Sequence, residues 1–321
     1  MRASRALGTL AGAAAVALAT LLVAAPASAA TLADGQKITV VEFLDTNDPA
    51  EGQFYDVNPA DAASTPVGTA TGAVIIGLEV NDDGIGAAIG QLDNQSTIWT
   101  ADANSGTISN PHTIALNGQI ELNLCSGIDL VNNTFIISCL QSGDSPISHV
   151  GSVDPATGAF TPFLSLSGDD YLEFDALAND TNTAQLWGFA WIGGDSHSYT
   201  IDLENDVVDE VATMDRRVHA ADFDRDGQLF VSTEDPFESQ NPGLAVADPF
   251  TGAYSFFEVY ISTATDADLA FVAALTIWGA PAPALAPTGA EVAPIAIGSV
   301  LLLLAGAAFI ATARVDRRRS A

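Results

Sequence analysis

Basic residues are scarce. Ten Lys and Arg stand against 40 Asp and Glu in 321 residues, a formal net charge of −30. Between residues 31 and 289 the only basic side chains are Lys37, Arg216, Arg217 and Arg225, against 38 acids. A surface of that sign repels nucleic acid and anionic lipid, which excludes both as partners of this region. The acids are spread along the chain and not blocked together, so they make a solvated exterior and not a disordered acidic tail. Cysteine is almost missing too, with Cys125 and Cys139 alone. No CxxC occurs, so neither a zinc site nor a redox pair is suggested. The four histidines, His112, His149, His197 and His219, have no Ser, Cys or Asp spacing that reads as a triad. Residues 31–279 show no amphipathic helical period, and long apolar runs occur only at the two ends.

Those ends are addresses. Arg2 and Arg5 precede an Ala/Leu-rich stretch that stops near Ala25, and Ala27-Ser28-Ala29 is a small-x-small cleavage site. Residues 1–30 therefore read as a signal helix removed on export. At the other end residues 293–313 carry no charge. A transmembrane helix needs about 20 apolar residues, so this run is long enough. Arg314, Arg317, Arg318 and Arg319 follow in the tail 314–321, which places the tail in the cytoplasm and the bulk of the chain outside. Before the span stands Leu285-Ala286-Pro287-Thr288-Gly289, reached through the Pro/Ala-rich residues 280–287, a semi-rigid spacer.

Pentapeptide, span and basic tail together resemble the sorting signal of sortase-anchored cell-wall proteins of Gram-positive bacteria. Ala286 replaces the commoner Pro, giving an LAXTG form of the LPXTG anchor. The resemblance covers about the last tenth of the chain. It implies that a sortase thiolate attacks the carbonyl of Thr288. The Thr288–Gly289 bond breaks, and Thr288 passes to an amine of peptidoglycan. Pro287 favours an extended approach to the enzyme. The protein would then be extracellular, in the cell wall, after a stage as a membrane-bound precursor. A retained single-pass anchor is the alternative, and it would need no pentapeptide.

The fold is legible in a repeat. A strand ending in Asp, a turn and another strand recur at Asp56, Asp102, Asp154, Asp202 and Asp248, about 48 residues apart. Asp102-Ala-Asn-Ser-Gly106, Asp154-Pro-Ala-Thr-Gly158 and Asp248-Pro-Phe-Thr-Gly252 show the chemistry. Asp bonds its own backbone two residues on, and Gly allows positive φ. Hairpin turns interleave at Val80–Gly84, Val131–Thr134, Ala178–Thr181 and Asp224–Gly227. Each period holds four short strands and two turns, the pattern of a β-propeller blade. An immunoglobulin-like sandwich has twice this period. Residues 31–279 are therefore expected to form an all-β, five-bladed β-propeller. Leu269–Trp278 reads as the inner part of a last blade whose outer part is Lys37–Phe43 and Gln53–Asn58, so that pairing the ends closes the ring. The repeats resemble the broad family of secreted bacterial propellers with D-x-x-T-G turns, which implies a pattern and no specific activity.

Candidate chemistry rests on few residues. An Asn132-Asn133 hairpin lies midway between Cys125 and Cys139 and sets the sulfurs close across neighbouring strands. In an exported chain a disulfide is expected. Asp222, Asp224, Asp226 and Gly227 match positions 1, 3, 5 and 6 of a calcium loop. Position 12 is Thr233, with Glu234 one further on, and the same stretch aligns with hairpin turns where Asp-Gly is ordinary turn chemistry. Aligned on the hairpins, Glu79, Asp129 and Asp222 share a column, with Ala176 beside Asp175 in the third blade. Carboxylates converging on a channel must pair, protonate or bind a cation. No cofactor is fixed by these residues; a divalent cation, Ca²⁺, is the candidate for the column, and the alternative is that this strand face is blade core. Trp187, Phe189 and Trp191 share a strand face, suited to packing between blades or to stacking sugars.

These features point to a binding or display module, adhesion-like, with an extracellular protein or glycan as ligand, and not to an enzyme. Two alternatives stand beside it. One is a five-bladed glycoside hydrolase taking its two carboxylates from the acidic column. The other is a purely structural wall component.

Overall fold

Polar turns cut the chain into short strands, and no α-helix occurs among the described residues. The computed structural model describes residues 31–33, 35–43, 52–60, 63–119, 122–141, 143, 146–168, 171–234, 243–257 and 271–279. The expected signal peptide, spacer, pentapeptide, apolar span and basic tail lie outside the described residues. In chain order the strands are β1 (Lys37–Phe43), β2 (Phe54–Asn58), β3 (Ala63–Val67), β4 (Val74–Val80), β5 (Ile85–Leu92), β6 (Gln95–Asp102) and β7 (Thr107–Thr113). Then come β8 (Ala115–Leu116), β9 (Leu122–Val131), β10 (Thr134–Gln141), β11 (Ile147–Val153), β12 (Ala159–Ser167), β13 (Phe174–Asp180) and β14 (Gln185–Ile192). The last are β15 (Asp195–Asp202), β16 (Val207–Met214), β17 (Arg217–Phe223), β18 (Leu229–Glu234), β19 (Gly243–Ala247), β20 (Tyr254–Phe257) and β21 (Phe271–Trp278).

They build five antiparallel sheets, each ordered from the axis outward. The first blade is β4–β7, the second β9–β12, the third β13–β16 and the fourth β17–β20. The short β8 adds in parallel to the outside of β12. The fifth blade takes its inner strand, β21, from the C-terminal end and its three outer strands, β1 to β3, from the N-terminal end. Lys37 lies opposite Trp278 and Val40 opposite Leu275 in that closing ladder. The inner strands β4, β9, β13, β17 and β21 contact one another in a closed ring. The molecule is a five-bladed β-propeller, closed as the repeat predicts.

Turn chemistry sets each blade. At the end of the third strand, Oδ1 of Asp102, Asp154, Asp202 and Asp248 accepts the N–H two residues on, at 2.9–3.0 Å. Oδ2 of Asp154 and Asp248 accepts a hydroxyl from the Thr three residues on. In the fifth blade this place belongs to Asn58, whose Oδ1 accepts the Ala60 N–H. Asp56, the expected first copy, instead accepts from the Thr39 hydroxyl and sits 3.8 Å from Lys37 Nζ. The repeat thus begins two residues later than the Asp spacing suggests.

The turn glycines have a second reason to be glycine. Gly106, Gly158 and Gly252 have φ of 63°, 71° and 72°. A Cβ on them would also lie 2.1–2.3 Å from the carbonyl oxygens of Val67, Thr113 and Thr213, each on the outermost strand of the preceding blade. The third blade has Asp206 at this place, with φ of 55° and a Cβ.

Each blade is buried on both faces, so the core is divided into five apolar layers, one per junction. Val41 and Phe54 meet Ile75 and Trp99 between the fifth and first blades. Ile89 and Ile98 meet Ile128 and Ile137 next. Ile136 and Val150 meet Phe174 and Leu186, Trp187 and Phe189 meet Leu229 and Val231, and Phe230 and Leu244 meet Ile38 and Leu275. Each such side chain contributes about 1.5–3 kcal/mol by leaving water. The expected disulfide is present: Cys125 and Cys139 face each other across β9 and β10 with Cα atoms 4.0 Å apart.

Candidate functional site

The acidic column stands in the channel. Glu79, Asp129 and Asp222 sit near the ends of three inner strands and are 7%, 4% and 6% exposed. Asp129 Oδ2 accepts the N–H of Asn179 on the next inner strand at 2.5 Å. Asp222 Oδ2 accepts that of Ile277 on the next at 2.5 Å. Thr276 continues the pattern: its hydroxyl accepts the Val80 N–H at 3.4 Å and donates to Glu79 Oε2 at 3.3 Å. The column therefore reads Glu79, Asp129, Ala178, Asp222 and Thr276 around the ring. Ala178, and not Ala176, is the third-blade member. The β13 strand runs on through Asp180 and so includes the Asn179-Asp180 pair that resembled the second blade's hairpin, and the turn falls at 181–184 instead.

Burial governs the charge of this group. Removal from water, and then the facing Asp222 and Asp129, push the Glu79 carboxyl well above its ordinary range. Burial and the Asp129 charge do the same to Asp222. Burial also raises Asp129, to about 7, against the pull of the Asn179 and Leu130 N–H groups. Three carboxyls that repel one another cannot all be ionised without a counter-charge, so they must share protons or attract a cation.

The calcium-like loop divides between two tasks. Asp222 turns into the channel, whereas Asp224 Oδ1 closes its own turn on the N–H groups of Asp226 and Gln228, at 3.0 and 2.8 Å. Asp226 is exposed. Among the described residues no group of three or more His, Cys, Asp or Glu side chains is disposed to hold a metal ion.

Toward the starts of the inner strands the axis is tightly packed. Between Ile76, Ser126, Asp175, Leu177, His219 and Leu275 the free volume is about 10 Å³, room for one water at most. One mouth holds the two ends of the propeller, at Gln36 and Gly279. Arg225 donates its N–H to Gln36 Oε1 at 3.0 Å, and its guanidinium to Asp82 Oδ1 at 2.9 Å and to the Gly279 carbonyl. Lys37 lies 4.9 Å over the Trp278 ring, whose Nε1–H donates to the Thr39 hydroxyl at 2.8 Å. Two of the four basic residues in this region thus fasten the closure. At the inner-strand starts Arg217 forks onto Asp175, at 3.0 and 3.3 Å, and lies 5.9 Å from the centre of the Trp191 ring. His219, largely buried beside that charge, is pushed down to about 3 and stays neutral.

No protein-family model and no curated protein matches the chain. Its likenesses are to solved structures. TolB from Acinetobacter baumannii matches with 15% identity and a TM-score of 0.44, over 70% of this chain and 53% of that one. The chain thus spans about half of TolB's length. A nidogen/laminin complex chain matches with 14% identity and a TM-score of 0.45, over 76% of this chain and 98% of that one. A putative 6-phosphogluconolactonase from Bacteroides fragilis matches with 8% identity and a TM-score of 0.43, over 76% and 98%.

Sequence reasoning found three of the channel side chains and missed Thr276, because β21 has no hairpin of its own to align on. It also missed the Arg217–Asp175–Trp191 contact, although Arg217 is one of only four Lys and Arg residues between 31 and 289. In the aromatic row Trp187 and Phe189 are 2% and 0% exposed and pack between blades, while Trp191 is half-buried beside the Arg217 guanidinium.

Proposed function

We propose that this is an exported surface protein, fastened to the cell wall through Thr288, whose propeller binds a protein or glycan partner and performs no chemistry on it. One observation carries the reading. The chain comes in and leaves side by side at a single mouth, where a Cβ on Gly279 would lie 2.3 Å from the Gly35 carbonyl. Arg225 ties both segments there. A propeller hung from that point turns its opposite mouth and its outer blade surfaces away from the anchor. Burial of the acids favours binding over hydrolysis, because Glu79, Asp129 and Asp222 lie out of reach of a sugar chain. The Thr288→Ala variant tests the anchor. It should leave the wall fraction released by muramidase and collect in the membrane or the medium. Wall attachment unchanged by that substitution would overturn the sorting step.

A further inference from the structure

Two of the five third-strand turns lack the glycine, the third blade's with Asp206 and the fifth blade's with Ala62 in the sequence, and the first of these stands beside a groove. Elsewhere Gly106, Gly158 and Gly252 bring a turn directly against the carbonyl of the preceding blade's outermost strand. Asp206 holds the corresponding turn of the third blade in the left-handed region but adds a Cβ. Between this turn and β12 of the second blade lies a cleft of about 760 Å³, within the roughly 300–1,000 Å³ of ligand sites. Its apolar lining includes Phe163, Leu166, Leu172 and Val207. Phe163 and Val207 are 44% and 41% exposed, and Leu166, Leu172 and Val208 are only partly covered by the core. The groove is flanked by two outermost strands. Among the described residues β16 pairs only with β15, and the outer edge of β12 is paired only at Ala159 and Phe160. Such edges offer unpaired N–H and C=O groups to an added strand. Asp206 lines the groove, exposed Asp209 follows on β16, Glu210 beyond it is bonded to the His197 ring at 2.8 Å, and no basic residue lines the groove.

We infer that this groove receives an extended, basic-apolar peptide segment of a partner protein, laid against the β12 or β16 edge as an added strand. Alternating apolar side chains would enter the cleft between Phe163 and Val207, and Lys or Arg side chains would face Asp206 and Asp209. The inference rests on the binding reading above and narrows its ligand to a protein segment.

The test is fluorescence anisotropy of a labelled decapeptide of alternating Lys and Val, titrated with the full-length protein in mild detergent. Saturable binding with Kd of about 10–100 μM is expected, weakened at least about tenfold in Phe163→Asp/Val207→Asp. Both residues are exposed, and an unchanged melting curve would confirm that this variant folds. In Asp206→Lys/Asp209→Lys the preference should shift to a decapeptide of alternating Glu and Val. The inference is overturned by absence of saturation up to millimolar protein or by equal binding in the first variant. It is also overturned by sedimentation showing a dimer that excludes the peptide, which would assign the groove to a second copy of this chain. Wall attachment is measured separately, so a silent groove on a correctly anchored protein sinks this inference and leaves the anchoring reading standing.

Discussion

Glycine at the third turn of a blade answers two constraints that a sequence window cannot separate. Gly252 has φ of 72°, and a Cβ there would lie 2.1 Å from the Thr213 carbonyl. The left-handed conformation alone costs an L-residue about 1–2 kcal/mol, and the backbone clash forces two blades apart. Gly252→Ala should therefore destabilise the fold by more than about 2 kcal/mol in chemical denaturation. A cost no larger than that of the φ strain would show that the blade junction yields. The φ requirement was legible from the Asp-x-x-Thr-Gly pattern, since it arises within five residues. The close approach was not, because Thr213 belongs to another blade.

Among the strands, the second blade is the one cross-linked. Cys125 and Cys139 pair directly across β9 and β10, with 14 residues of sequence separation. Closing a loop of that length in the unfolded chain is worth about 3 kcal/mol in the chain-entropy account. Reduction should lower stability by roughly 2–3 kcal/mol while the closing ladder of β1 and β21 keeps the ring intact. Melts with and without reductant check this, and a fully unfolded reduced protein would contradict it. The hairpin was readable because Asn132 and Asn133 both take positive φ, 50° and 62°, as a two-residue hairpin turn demands. Registers elsewhere were less legible. Inner-strand ladders are interrupted by bulges, between Ile75 and Gly77, Phe174 and Ala176, and Val218 and Ala220. The loops that follow also differ in length, so counting back from a turn put the third-blade column residue two places early.

Across the molecule, the channel acids couple stability to pH. Their carboxyls are raised in the folded protein, so the folded state holds protons that the unfolded chain releases. For an acid shifted upward, stability is full below the unfolded value, about 4, and is lost as pH rises toward the folded one. Asp129 gives a folded value of about 7, and Glu79 and Asp222 move in the same direction. The exposed turn acids Asp102, Asp154 and Asp202 are held below their usual range by turn hydrogen bonds, and their small contribution is lost only in stronger acid. The melting temperature should accordingly be higher at pH 5 than at pH 8 by about 5 °C or more. Glu79→Gln, which keeps a partner for Thr276 but cannot ionise, should flatten that slope. Adding EDTA or millimolar calcium at pH 8 should leave the melt unchanged. A calcium-dependent rise would instead make the trio a cation site, since a ligand bound only by the folded form stabilises it by mass action.

Local chemistry was enough to specify blade number, turn type, the disulfide partners and the closing strands, because each is written within a few residues or in a period of about 48. The meeting of Glu79 with Thr276 spans 197 positions, and that of Asp222 with Ile277 spans 55. Which side chains share the axis, how little space they leave and where a junction gapes depend on bulges, loop lengths and ring closure acting together. Those quantities exist only once five sheets are packed around one axis, so no stretch of the chain carries them alone.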